Sequence, residues 1–228
     1  SPHYEVLLRL IDEQGREVSP MKFIPAAERY HLMPSIDRWV IAATLQCLVK
    51  RALSGPIQGV YAINLSGQSL SDDEFLSYTV DQIDKSGISP RQLCFEITET
   101  AAIANLQRAL RYMSVLRGMG CRFALDDFGS GLSSYAYLKN LPVDYLKIDG
   151  AFIRNLEQNP IERAMVSAIN HIGQLMGLQT IAECVDTQST LKAVAAMGID
   201  YAQGHNIAAV EPLSDISDIQ STPQLKQA

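Results

Sequence analysis

Short apolar runs that stop at a polar side chain recur along the chain. Val60-Tyr61-Ala62-Ile63 runs into Asn64, Leu93-Cys94-Phe95 into Glu96, and Phe123-Ala124-Leu125 into Asp126-Asp127. Tyr145-Leu146 runs into Lys147, Thr180-Ile181-Ala182 into Glu183, and Tyr201-Ala202 into Gln203. Together with an N-terminal run, they predict strands over 3–10, 59–66, 92–99, 121–128, 145–150, 179–185 and 201–207. Continuously apolar strands of this length suit a sheet covered on both faces. The intervening patterns predict helices over 35–53, 72–86, 102–119, 160–177 and 187–197, with shorter ones near 22–31 and 133–140. Ser71-Asp72-Asp73-Glu74 reads as a capping box, and Asn159-Pro160 as a helix start. Gly87, Gly120, Gly177 and Gly198 stand where C-terminal caps belong.

Alternating strands and helices place the chain in the α/β class, with a parallel sheet. An open doubly wound sheet would gather polar strand ends only at a crevice, whereas six contributing strands suit a closed ring. The expected fold is therefore a (β/α)8 TIM-like barrel. Seven strands are predicted where such a barrel has eight, and the first begins almost at Ser1. The N-terminal strand is thus expected upstream of this chain. One domain is expected over 1–214, followed by a polar tail over 215–228.

Composition narrows the function. The 228 residues carry a formal charge of -6, which disfavours nucleic acid polymers and anionic membranes as partners. Cys47, Cys94, Cys121 and Cys184 form no C-x-x-C pair and read as reduced thiols of a cytosolic domain. The longest apolar stretch, around Trp39 to Val49, is too short to span a bilayer. His3, His31, His171 and His205 lack metal spacing and read as surface or interface residues.

The polar run ends carry the candidate chemistry. Strand alternation puts Lys147 and Asp149 on one face, and an inward ammonium needs an anionic partner. Adjacent Asp126 and Asp127 reach one site only if the backbone leaves the pleat, a role assigned to Phe128-Gly129-Ser130-Gly131. Glu5, Asn64, Glu96, Asp126, Asp127 and Glu183 supply five carboxylates and one amide. Such hard oxygen donors select Mg²⁺ or Mn²⁺ over zinc. Two ions about 3.5–4 Å apart would use all of them, and ion pairs of that kind hydrolyse phosphate esters.

The motifs Glu5-Val6-Leu7-Leu8-Arg9, Asn64-Leu65-Ser66, Glu96-Ile97-Thr98-Glu99, Asp126-Asp127-Phe128-Gly129-Ser130-Gly131, Lys147-Ile148-Asp149, Ala182-Glu183 and Gln203-Gly204 stand in order along the chain. This ordered set resembles the EAL domains, the cyclic di-GMP phosphodiesterases of bacterial signalling, from Tyr4 to about Leu213. The resemblance implies that Glu5, Asn64, Glu96 and Asp126 hold one metal ion, and Asp126, Asp127 and Glu183 a second. Glu5, Asp127, Lys147 and Glu183 then form the catalytic set, with Lys147 positioning the attacking water. Arg9 would meet substrate phosphate, Gln203 would support the site, and Asp149 would join the substrate-binding side. Glu99 would face away from the metals, steady the loop after Asp127 and couple the site to a dimer contact. The implied reaction opens one phosphodiester of cyclic di-GMP to linear pGpG, with Ca²⁺ inhibitory. A homodimer is implied, as are upstream sensory or GGDEF-type domains and a cytoplasmic setting for this domain, even if the full-length protein is membrane-anchored.

Three departures from the family pattern stand out. Val6 replaces Ala in the signature, and Ala182-Glu183-Cys184-Val185-Asp186 stands for the usual A-E-G-V-E. His205 to Pro212 lacks the usual Arg-Pro pair, which puts base or phosphate contacts at that edge in question. Asp186-Thr187 otherwise reads as a helix start. Two other functions remain open on the sequence. One is a receptor that binds cyclic di-GMP without cleaving it. The other is an enolase-like barrel enzyme using Lys147 with one metal, which would leave Asn64 and the paired aspartates poorly used.

Overall fold

The computed structural model describes residues 2–129 and 135–213. Most of the glycine-rich segment after Gly129 and the polar tail over 215–228 lie outside the described residues. The chain opens with β1 (His3–Val6), a hairpin of β2 (Leu10–Ile11) and β3 (Glu17–Val18), then α1 (Pro20–Arg29) and α2 (Met33–Ala52). The next units are β4 (Val60–Leu65), α3 (Gly67–Leu70), α4 (Asp73–Ser86), β5 (Leu93–Thr98), α5 (Glu99–Ala104) and α6 (Leu106–Met119). Then come β6 (Arg122–Phe128), α7 (Tyr135–Leu138), β7 (Tyr145–Ile148), α8 (Gly150–Arg154) and α9 (Pro160–Leu175). The last elements are β8 (Gln179–Ala182), α10 (Gln188–Ala196) and β9 (Tyr201–Ala202).

Seven strands form one parallel sheet in the order β1-β4-β5-β6-β7-β8-β9. It curls into a partial TIM-like barrel that lacks an N-terminal strand, leaving β1 and β9 as its two edges.

Strand alternation divides the core in two. Outward side chains such as Tyr61, Ile63, Phe95, Phe123, Leu125, Leu146 and Ile148 are fully buried against the helices. Val60, Ala62, Cys94, Ala124, Tyr145, Ile181 and Tyr201 form a separate inner cluster. Two residues beyond six members of that inner layer stand Asn64, Glu96, Asp126, Lys147, Glu183 and Gln203. His3 stands in the same relation to Glu5, its imidazole edge-on to Tyr145 at 4.9 Å and Tyr201 at 6.3 Å between ring centroids. The polar layer therefore sits directly on an apolar floor. His3 belongs to that floor, not to a surface, and burial, followed by Lys147 and Arg122, lowers its pKa to about 4.

Several predicted boundaries move. The first strand ends at Val6, because Leu10–Ile11 pairs with Glu17–Val18 in a hairpin outside the main sheet. The helix predicted over 102–119 is two, broken at Asn105, whose φ of -135° and ψ of 45° are not helical. The capping box dissolves: Asp72 is the N-cap and accepts from the Glu74 amide, while the Ser71 hydroxyl bonds Gly67 O. The reading of Asp186-Thr187 as a helix start holds, with Thr187 the N-cap of α10. Gly87 and Gly120 do close α4 and α6 in the left-handed conformation.

Candidate active site

Lys147 stands at the centre of the polar layer and is almost wholly buried, at 1% side-chain exposure. Its Nζ lies 2.7 Å from Glu96, 2.9 Å from Glu183, 3.1 Å from Asp126 and 3.4 Å from Glu5. Four strands thus aim carboxylates at one ammonium from a fifth. Asn64 Nδ2 donates to Glu5 Oε1 at 2.8 Å, and Gln203 Nε2 donates to Glu5 Oε2. Glu5 and Gln203 belong to the two sheet edges, so side chains join where the backbones do not pair.

Asp127 reaches the same site by a backbone irregularity. Its φ is +53°, and the β6–β7 register slips between Leu125 and Phe128. The departure from the pleat thus already begins at Asp127, ahead of Gly129. This bulge turns adjacent aspartates to one side, at the cost of a conformation that L-residues avoid. Oxygens of Asp126, Asp127 and Glu183 come within 4.8 Å of one another.

One ammonium cannot offset five carboxylates, and the titration of the site reflects this. Burial, reinforced by Glu5 and Asp126 and opposed by Lys147, lifts Glu96 to about 8. Burial likewise lifts Glu183 to about 7, again against Lys147. Asp127 is raised by burial and by the neighbouring Asp126 and Asp149 charges. Burial also pushes Glu5 upward, but Lys147 and the bonds from Gln203 and Asn64 outweigh it, leaving that carboxyl below its ordinary value. Burial alone would lower Lys147, yet Glu96, Glu5, Asp126 and Glu183 hold it well above the usual lysine range. The donor set is all oxygen, anionic and short of positive charge, which fits divalent cations.

Other candidate residues lie further out. Arg9 Nε pairs with Glu17 at 3.0 Å and its Nη1 donates to Leu8 O, so it faces the hairpin. It also lines a cavity of about 1000 Å³ that reaches Asn64, Asp126 and Asp127. Asp149 caps α8, accepting from the Ala151 amide at 2.8 Å, and is not among the carboxylates paired with Lys147. Glu99 is turned away from Lys147. It accepts from the Gly129 amide at 3.1 Å and from the Tyr137 hydroxyl. Tyr137 was not singled out by sequence, since nothing in its local pattern marks it.

Cys184, directly after Glu183, adopts a φ of +54°, a region that favours the glycine usual there. Its Sγ lies 3.0 Å from Arg154 Nη2 and fills the space above Gly150. Beside it, His205 Nδ1 pairs with Asp186 Oδ1 at 3.0 Å, a contact that sequence spacing does not mark.

The EAL domain model matches residues 2–209. The chain belongs to the EAL domain family. Among its EAL relatives is the cyclic di-GMP phosphodiesterase PdeB of Shewanella oneidensis, 43% identical over 212 residues, covering 92% of this chain and 24% of that protein. The cyclic di-GMP phosphodiesterase PdeF of Escherichia coli is 39% identical over 213 residues, covering 93% of this chain and 28% of that protein. The chain thus spans about a quarter of the length of these curated relatives. Among solved structures, the FimX EAL domain of Pseudomonas aeruginosa bound to c-di-GMP superposes with a TM-score of 0.84 at 30% identity, covering 91% of this chain and 83% of that one. The PaMucR phosphodiesterase in its c-di-GMP complex gives 0.83 at 31% identity, covering 88% and 81%.

Proposed function

We propose that this EAL domain hydrolyses one phosphodiester bond of cyclic di-GMP to linear pGpG. The observation that carries the reading is the convergence of Glu5, Glu96, Asp126 and Glu183 on Lys147, with Asp127 brought alongside by its bulge. Glu5, Asn64, Glu96 and Asp126 would hold one Mg²⁺ or Mn²⁺, and Asp126, Asp127 and Glu183 a second. Bound divalent ions would neutralise the ring and the phosphate, and acidify water for attack. The protein's own part is positioning. Lys147 keeps the carboxylates gathered and offers a donor for the attacking water. Gln203 and Asn64 fix the orientation of Glu5, and the adjoining cavity receives the dinucleotide with Arg9 available to its phosphate.

Incubation of the full-length protein with cyclic di-GMP and Mn²⁺, followed by chromatography, tests the reading. Product should vanish with excess chelator and fall with added Ca²⁺, whose looser coordination suits the site less well. Glu5→Ala should lower turnover by more than about 100-fold, since losing a direct ligand exceeds the cost of losing an outer partner. Undiminished pGpG in chelator would refute the metal reading. Tight cyclic di-GMP binding without product would assign a receptor instead.

The same reading places this domain in the cytoplasm, as a homodimer, beneath sensory or GGDEF-type domains. Among the described residues no helix is long and apolar enough to cross a membrane. Glu99 joins α5 to the end of β6 through Gly129 and to α7 through Tyr137. Glu99→Ala should therefore weaken Mn²⁺ binding, turnover and dimerisation together. Titration and sedimentation of that variant check this, and wild-type values for all three would make Glu99 a local structural residue only.

A further inference from the structure

The loops after β8 and β9 are fastened to each other. The Val185 amide donates to Gln203 O at 2.9 Å, and the Asn206 amide donates to Val185 O at 3.2 Å. Gly204, at a φ of +156°, brings the two backbones so close that a Cβ there would lie 2.4 Å from Val185 N. The outer end of this junction is closed by Asp186 and His205. Asp186 Oδ1 accepts from the His205 amide at 3.0 Å and meets His205 Nδ1 at 3.0 Å. The His205 amide bond, first among the causes, and its imidazole hold the Asp186 carboxyl below its ordinary range.

What the junction carries gives it consequence. Glu183 lies two residues before Val185, where the junction begins, and is 2.9 Å from Lys147. Gln203 begins its second loop and bonds Glu5. Cys184 occupies a left-handed conformation between Glu183 and Val185, so the loop's path is not the one a non-glycine residue prefers. Bonds outside the ring therefore add to the Lys147 contact in setting how Glu183 is aimed. We infer that Asp186 and His205 form a positioning pair, holding the β8 and β9 loops so that Glu183 and Gln203 meet the ring in register. One departure from the family pattern, the shorter acid at 186, is thereby tied to the first residue of another, the stretch from His205 to Pro212. Neither residue touches the reacting atoms. The role rests on the proposed metal-dependent hydrolysis for its catalytic consequence, but not for its structural one.

The discriminating variant is Asp186→Asn, which keeps the Oδ1 acceptor and removes the charge. For a positioning pair, D186N stays within about twofold of wild type in Mn²⁺ affinity and kcat. Asp186→Ala instead loses about fivefold in Mn²⁺ affinity, with a fall in kcat and little change in KM. His205→Ala gives a smaller loss, because the backbone amide bond survives. The double variant is no worse than D186A, the coupling that contacting residues show. Amide exchange at His205 should accelerate in D186A and not in D186N, whether or not the protein turns over any substrate. If D186N is as damaging as D186A, Asp186 acts through its charge and the inference is wrong. Additive effects of the two alanine variants, or unchanged His205 exchange in D186A, also overturn it. Absence of hydrolysis in the wild type, with the exchange pattern intact, would count against the proposed function and leave the positioning pair standing.

Discussion

Lys147→Met should leave the metal-free protein markedly less stable at pH 8 than at pH 5, with Mn²⁺ restoring much of the loss. Four carboxylates rest on this one ammonium, and both Lys147 and Glu96 are out of water. Removing one partner of a buried ion pair costs about 3–5 kcal/mol, against a total stability of about 5–15 kcal/mol. At this size that corresponds to a fall in Tm of about 6–20 °C. The pH direction follows from the raised carboxyls. Glu96 sits near 8 and Glu183 near 7, both above their unfolded values near 4.5. Their stabilisation is complete below the unfolded value and is lost as pH rises through 7 and 8. Without Lys147 the mutual repulsion grows, so the deficit widens over that window. Thermal melts at pH 5 and 8, with and without Mn²⁺, are the test. A variant that melts equally at both pH values would show that Lys147 does not offset the ring.

Much of this arrangement could be read from a period of two. Ala62 and Asn64, Cys94 and Glu96, Ala124 and Asp126, and Tyr145 and Lys147 each pair an apolar floor residue with a polar one above it. Run-end polarity therefore located the layer, because strand alternation fixes the face without knowledge of the partner strands. The parallel sheet, the helices and their glycine caps followed from equally local rules. What escaped depended on tertiary context or on one dihedral. Asp127 enters the site through a φ of +53°, which no residue type at 127 announces. Leu10–Ile11 continues the apolar pattern of β1 yet pairs with Glu17–Val18, a choice made by the hairpin and not by hydropathy. Asn105 breaks α5 from α6 within a pattern that reads as one helix. Asp186 and His205 lie nineteen residues apart on exposed loops, with no periodicity to join them.

Divalent metal binding to the wild-type ring should release protons near neutral pH, and its affinity should climb as pH rises. With Glu183 near 7 and Glu96 near 8, the metal-free protein at pH 6 holds a proton on each. A cation that takes both carboxylates must displace those protons. Release should approach two protons per molecule at pH 6 and decline toward none by pH 9. Apparent affinity changes by up to about tenfold per pH unit for each proton released, and with Glu183 already half ionised at pH 7 the gain from pH 6 to 7 should be about 50-fold. Calorimetry with Mn²⁺ in buffers of different ionisation heat counts the protons directly. Glu96→Gln should remove one of them and flatten the slope accordingly. Lys147 remains charged throughout this range, held far above neutrality by the same carboxylates, so it contributes nothing to the count. Mn²⁺ binding at pH 6 with no proton release would mean that the ion is held elsewhere, by carboxylates that are already ionised, and the ring assignment would fall with it.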